Sequence, residues 1–152
     1  MLLYINKVLE NKIRIRRSAD GGQQVYDILR RRWVALTPEE EVRQHFVHFL
    51  IRERAYPMGL MGNEMMVRLN GMAKRCDTLV SDREGNPKMI IEYKAPQIAI
   101  TQKVFDQVSR YNSVMHVDYL IVSNGRQSFC ARMNYETMKF EFLEDIPAYE
   151  NL

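Results

Sequence analysis

Residues 72–96 read MAKRCDTLVSDREGNPKMIIEYKAP, and the fold turns on this stretch. Its pattern is that of a β-hairpin with arms at 73–81 and 88–94. The connecting Asp82-Arg83-Glu84-Gly85-Asn86-Pro87 is dense in residues that tolerate turn geometry. Pairing symmetric about Glu84 and Gly85 sets Asp77 opposite Glu92, and cross-strand partners share a face. Lys94 lies two residues beyond Glu92, so the strand period of two brings it to that face as well. Three charges thus converge on a ribbon that is otherwise apolar (Leu79, Val80, Met89, Ile90, Ile91). Carboxylates among apolar neighbours are costly unless compensated, and a bound divalent cation is one compensation.

Upstream, Thr37-Pro38-Glu39-Glu40-Glu41 opens a helix expected over 37–54. Thr37 caps it, Pro38 suits its first position, and the three Glu residues complement the positive end of the dipole. Val42, Phe46, Phe49 and Leu50 recur at helical spacing and form its core stripe. Stepping back three residues from Val42 brings Glu39 onto that face, with Glu40 more to the side. Glu39 is therefore the better geometric candidate for a further carboxylate, and Glu40 stays open as the alternative. Residues 64–69 read as a strand, and Asn70-Gly71 as the tight turn into the hairpin. At the N-terminus Lys12-Ile13-Arg14-Ile15-Arg16 alternates, Ala19-Asp20-Gly21-Gly22 signals a turn, and 24–29 supplies a second arm. Those arginines and the run Arg30-Arg31-Arg32 read as a solvated face, with phosphate contact as the functional alternative.

Downstream, Ala95-Pro96 ends the hairpin, and Thr101 caps a helix running to about residue 115. Phe105, Val108 and Met115 point inward, while Gln107 and Tyr111, four apart, share a face. Residues 117–123 form a nearly continuous apolar run, the look of a strand buried on both faces. Asn124-Gly125 is a turn, and 129–133 and 138–143 read as two further strands. The expected fold is α/β: a mixed sheet flanked by helices with core order α-β-β-β-α-β over about 37–134. An N-terminal β-hairpin precedes it within a single domain, 1–152.

At 152 residues the chain buries enough surface for a core without staples. Its net charge of +3 permits a nucleic-acid partner without demanding one. Cys76 and Cys130 make neither a disulfide framework nor a zinc set, and they read as reduced, buried thiols of a cytoplasmic protein. No apolar run reaches the length of a membrane span, and the N-terminus lacks the order of a signal peptide. There is no Gly-rich phosphate loop and no Gly-Xaa-Ser-Xaa-Gly elbow. His45 and His48 lie three apart on the first helix but have no further ligand at suitable spacing.

Asp77 followed by Glu92-Tyr93-Lys94 resembles the PD-(D/E)XK signature of restriction endonucleases and repair nucleases. Gln107-Xaa-Xaa-Xaa-Tyr111 resembles the QxxxY motif of one branch of them. A closer resemblance is to the N-terminal nuclease domain of type I restriction enzyme R subunits. It is carried by Pro38-Glu39-Glu40, Val42-Arg43-Gln44, Arg75-Cys76-Asp77 and Glu92-Tyr93-Lys94-Ala95-Pro96. Thr101-Gln102, Phe105-Asp106-Gln107, Arg110-Tyr111-Asn112 and Ser123-Asn124-Gly125 continue it, so that it covers about residues 24–134.

The resemblance implies a restriction-endonuclease-like fold and a Mg²⁺-dependent DNA endonuclease, with Mn²⁺ able to substitute. In that family reading Asp77 and Glu92 hold the metal, the Tyr93 main-chain carbonyl adds a ligand, and Glu39 reaches it through water. Lys94 positions or deprotonates the attacking water, or neutralises charge in the transition state. Gln107 and Tyr111 contact the substrate backbone or support Lys94. The implied partners are DNA and other restriction-modification subunits or a separate motor protein, with no membrane. Two departures stand out. Cys76 occupies the place of the motif's Pro, and alternation points it away from the Asp77 face. The helicase motor that follows this domain in full R subunits is not found in these 152 residues, so the chain is not expected to translocate DNA by itself. Taken singly, Asp77 reads as a strand-end charge and Glu92 with Lys94 as a surface pair; their convergence favours a site. The competing expectation is a non-catalytic module that binds nucleic acid or a protein partner on a nuclease fold.

Overall fold

The computed structural model describes residues 2–4, 8–69 and 71–152, with backbone only at 2–4, 69 and 111–115. Helix α1 (Pro38–Arg54) starts where its cap dictates: Thr37 is extended, and its hydroxyl accepts the Glu40 N–H at 3.1 Å. It ends on Ala55 in the left-handed region, φ 56°. After it come β5 (Met61–Leu69), β6 (Met72–Ser81) and β7 (Pro87–Tyr93), then α2 (Gln102–Met115) and β8 (Tyr119–Ser123). This is the α-β-β-β-α-β order. Strands β9 (Gln127–Asn134) and β10 (Lys139–Phe142) follow, and β1 (Leu2–Tyr4) stands at the chain start.

These strands form one seven-stranded mixed sheet, ordered β1-β9-β8-β7-β6-β5 with β10 also on β9. The meander β5-β6-β7 is antiparallel, and the crossover through α2 makes β8 parallel to β7. Thr101 caps α2, its hydroxyl accepting the Val104 N–H at 3.2 Å. On one sheet face Val42, Phe46, Phe49 and Leu50 of α1 pack with Val80, Met89, Ile91, Tyr93 and Ile121. On the other, Phe105 and Val108 of α2 pack with Leu79, Ile90, Leu120 and Val122. Alternate residues of β7 and β8 feed the two clusters, and all five residues of β8 are buried. That is why 117–123 shows no amphipathic alternation. No described helix is long and apolar enough to cross a membrane.

Three features extend or correct the expected fold. First, the expected N-terminal hairpin, β2 (Ile15–Arg17) and β3 (Gln23–Asp27), is present and is extended by β4 (Arg32–Ala35) into a three-stranded antiparallel sheet. The third strand forms because Asp27 folds residues 28–31 into a turn, accepting the Leu29 and Arg30 N–H groups at 2.8 Å. Trp33 then returns opposite Tyr26. Second, β1 joins the main sheet through β9, a three-residue pairing too short to show as periodicity. Third, Cys76 does not point away from the hairpin's working face: it packs in the α2-side cluster with Leu79 and Ile90. The turn residue Asn70 lies outside the described residues; Gly71 beside it takes φ 78°.

Candidate active site

The hairpin register is Thr78 to Ile91, Leu79 to Ile90 and Val80 to Met89, which is pairing symmetric about Glu84 and Gly85. The ladder slips only at Val80/Ser81, on the turn side, so the far end keeps its pairing. Continuing that register sets Asp77 opposite Glu92. Their carboxyls meet beside the Tyr93 backbone, whose N–H donates to Asp77 Oδ2 at 2.9 Å. Lys94 follows β7 and extends its pairing with β8, donating its N–H to the Ser123 carbonyl at 2.9 Å. Strand alternation therefore carries Lys94 onto the Glu92 face. Its side chain is half-buried and makes no ion pair among the described residues.

The Glu92 side chain is only 14% exposed, and its pKa is pushed up to about 7. Burial is the largest cause, followed by the charge of Asp77 and a hydrogen bond with its carboxyl; Lys74 opposes them. The Lys74 ammonium stands 2.9 Å from Glu92 Oε1, yet that buried oxygen has no partner in hydrogen-bonding geometry. At this distance the two form an ion pair, and its charge works against the rise in the Glu92 pKa. Two carboxylates pressed together, one with an undirected oxygen, suit a hard divalent cation. Among the described residues no group of three His, Cys, Asp or Glu side chains gathers. Any cation here would take two carboxylates and complete its shell from main chain and water.

Helix α1 contributes differently from the expectation. Glu39 is exposed, and Glu40 turns inward instead. Glu40 is drawn in by cations: Arg30 Nη2 lies 2.6 Å and Arg43 Nε 2.8 Å from its oxygens, and Gln44 Nε2 donates at 3.2 Å. Arg43 Nη1 then donates to the Asp77 carbonyl oxygen at 2.8 Å and pairs with Glu64 at 2.8 Å. Burial alone would lower the Arg43 pKa, but the bonds and charge of Glu40, then the bond to Glu64, raise it overall. The helix thus presents a locked guanidinium that clamps the Asp77 backbone.

Glu64 occupies the place opposite Asp77 in the β5–β6 pairing, between Asn63–Thr78 and Met65–Cys76. It takes φ 56°, a left-handed conformation costing about 1–2 kcal/mol for such a residue. Its carboxylate goes to Arg43, with Arg75 at 3.7 Å. A buried polar chain ties this region to the N-terminal sheet. Asn63 donates to fully buried Asp27 at 3.1 Å, Thr78 donates to Asn63 at 2.7 Å, and the Tyr93 hydroxyl donates to Thr78 at 2.8 Å. Burial pushes Asp27 upward, but the Arg30 and Asn63 bonds together hold it below the usual carboxylate range.

Among the described residues, no hydrogen bond or ion pair joins Gln107 to the carboxylates. Gln107 is exposed, and the Tyr111 side chain lies outside the described residues. A His45 ring nitrogen sits 2.6 Å from the Asn11 carbonyl. Burial first, then Arg52 and His45, lower His48 to about 4. Burial, then Glu92, pushes the Cys76 thiol up to about 12. A surface hollow of about 460 Å³ lies at the hairpin's turn end, between Asp82, Lys88 and Tyr149, away from the carboxylates. Arg43, Glu64 and Lys74 were missed in the sequence. Symmetric counting about Asn70 and Gly71 does place Glu64 opposite Asp77, so that one was within reach.

The family described as Type I restriction enzyme R protein N terminus (HSDR_N) matches residues 38–147. No curated protein matched the chain. The matched span runs from the first residue of α1 through the hairpin, α2 and β8 to beyond β10. With its fold order, hairpin register and family match in agreement, the chain belongs to the type I restriction enzyme R protein N-terminal family.

Proposed function

We propose that this chain is a Mg²⁺-dependent DNA endonuclease domain that hydrolyses phosphodiester bonds in the cytoplasm alongside restriction-modification subunits. The observation that carries the reading is the meeting of Asp77 and Glu92 at the hairpin's open end, with Lys94 on the same strand face. Asp77 and Glu92 would hold the cation, with the Tyr93 carbonyl available as a main-chain ligand. When bound, Mg²⁺ (or Mn²⁺) polarises the scissile phosphate and makes a nearby water a better nucleophile. Arg43 fixes the Asp77 backbone through its carbonyl, and the Tyr93 N–H orients the carboxylate. Lys94, with its ammonium unpaired among the described residues, orients the water or neutralises charge on the phosphate. Exposed Gln107, with Tyr111, is assigned to the substrate backbone. Glu39 is exposed and Glu40 is committed to Arg30 and Arg43, so among the carboxylates this reading assigns the cation to Asp77 and Glu92 alone.

Plasmid nicking tests this. Wild type with Mg²⁺ or Mn²⁺ should nick, while Asp77→Ala and Lys94→Ala should lose about 100-fold or more. Equal nicking by all three, or nicking by none, removes the catalytic reading for this chain. One observation favours a non-catalytic binding module instead: the Lys74 ammonium already stands against Glu92 where a cation would sit. That reading predicts DNA or partner binding that is indifferent to divalent metal.

A further inference from the structure

The outward face of the N-terminal sheet carries chemistry that the carboxylate site does not use. Register places Arg14, Arg16, Gln24, Tyr26, Trp33 and Ala35 on this face. Arg16 pairs with Gln24, Gln24 with Ala35 and Tyr26 with Trp33, while the Tyr26 N–H bonds the Arg14 carbonyl. The opposite face of β3 carries Val25 and Asp27, both fully buried. None of the six outward residues is acidic, and neither Arg14 nor Arg16 has an ion pair among the described residues. The Arg14 guanidinium lies 4.7 Å from the Tyr26 ring centre, and that of Arg16 lies 4.3 Å from the Trp33 ring centre. The two rings meet edge to face at 5.4 Å. Arg16 is further fixed by Gln24, its Nε donating at 2.8 Å.

Two exposed guanidinium planes are thus held on two half-buried aromatic rings, with no carboxylate to neutralise them. Arg17, Arg31 and Arg32 are exposed as well, but register turns Arg17 and Arg32 to the opposite face, so they do not belong to this one. Stacked guanidinium and indole planes accept unpaired bases, and the guanidinium N–H edges donate to phosphate oxygens. A duplex buries its base planes, so a stacking face of this kind selects single strands.

We infer that the outward face of β2–β4 is a binding site for single-stranded nucleic acid. Arg14 and Arg16 grip its phosphates, and bases stack on the Trp33–arginine layer. The site lies outside the 38–147 family match, and the inference does not rest on cleavage at Asp77 and Glu92. Trp33 is the chain's one tryptophan and reports directly on this face. An oligothymidylate of about 15 nucleotides is titrated into the full chain in EDTA, with tryptophan emission followed at several salt concentrations. The expected result is saturable quenching that weakens as salt rises. The Arg14→Gln/Arg16→Gln double variant should bind about tenfold or more weakly, with an unchanged far-UV circular dichroism spectrum. Absence of saturable quenching overturns the inference. So does equal affinity in a folded double variant, or a duplex of the same length that binds as tightly as the single strand.

Discussion

At the scale of single residues, the site is defined by which charges are compensated and which are not. Glu92 is buried against Asp77 and raised from an ordinary 4.5 to about 7. A carboxyl raised on folding binds its proton more tightly in the native state. Its stabilising contribution is therefore full below about 4.5 and is lost as pH rises through about 7. Glu92→Gln removes that loss. At pH 8 the variant should be more stable than wild type by about 1–2 kcal/mol, with the gap closing toward pH 5, as read by urea denaturation across pH. The same variant should not nick DNA. Arg43 is the opposite case, a buried cation with every partner in place. Arg43→Ala leaves Glu40 and Glu64 short of a counter-charge and frees the Asp77 carbonyl, so it should cost about 3 kcal/mol in urea denaturation.

At the scale of elements, caps and turns did most to make the fold legible. Thr37 and Thr101 mark both helix starts by side-chain chemistry that leaves a sequence signature. The Asp77–Glu92 register could be counted because the 82–87 turn is symmetric and its slip lies beyond Val80. Glu39 was misplaced for a physical reason. Face counting ranks positions by the apolar stripe, whereas the first turn of α1 is oriented by two arginines, Arg43 within the helix and Arg30 in the turn before β4. The left-handed Glu64 and the inward Cys76 were illegible for a related reason: strand alternation assumes an even pleat, and β5 and β6 break it at the site. Thr37→Ala should cost about 1 kcal/mol. Gly85 and Gly125 both take φ 87°, but a Cβ on Gly125 would come within 2.8 Å of the Leu9 side chain, whereas at Gly85 it meets nothing. Gly125→Ala should therefore lower the melting temperature clearly more than Gly85→Ala, the difference isolating contact from backbone strain.

At the scale of the whole molecule, one sheet sandwiched by α1 and α2 holds the hairpin, and a second small sheet is bolted to it. Asp27–Asn63 and Arg30–Glu40 make that joint from buried polar bonds, which fixes the N-terminal sheet relative to the carboxylates. The chemistry proposed at the hairpin and the strand capture proposed at the N-terminal face are separable, one lying inside the family match and the other before it. Both remain compatible with a domain that works beside other subunits. The central claim is that Asp77 and Glu92 form a divalent-cation site. Isothermal titration calorimetry of Mn²⁺ into wild type and Asp77→Asn tests it most directly. The site predicts saturable binding in wild type, weaker by about tenfold per pH unit below pH 7 as Glu92 takes up its proton, and lost in Asp77→Asn. A wild type that binds no Mn²⁺, or an isotherm unchanged by Asp77→Asn, contradicts it.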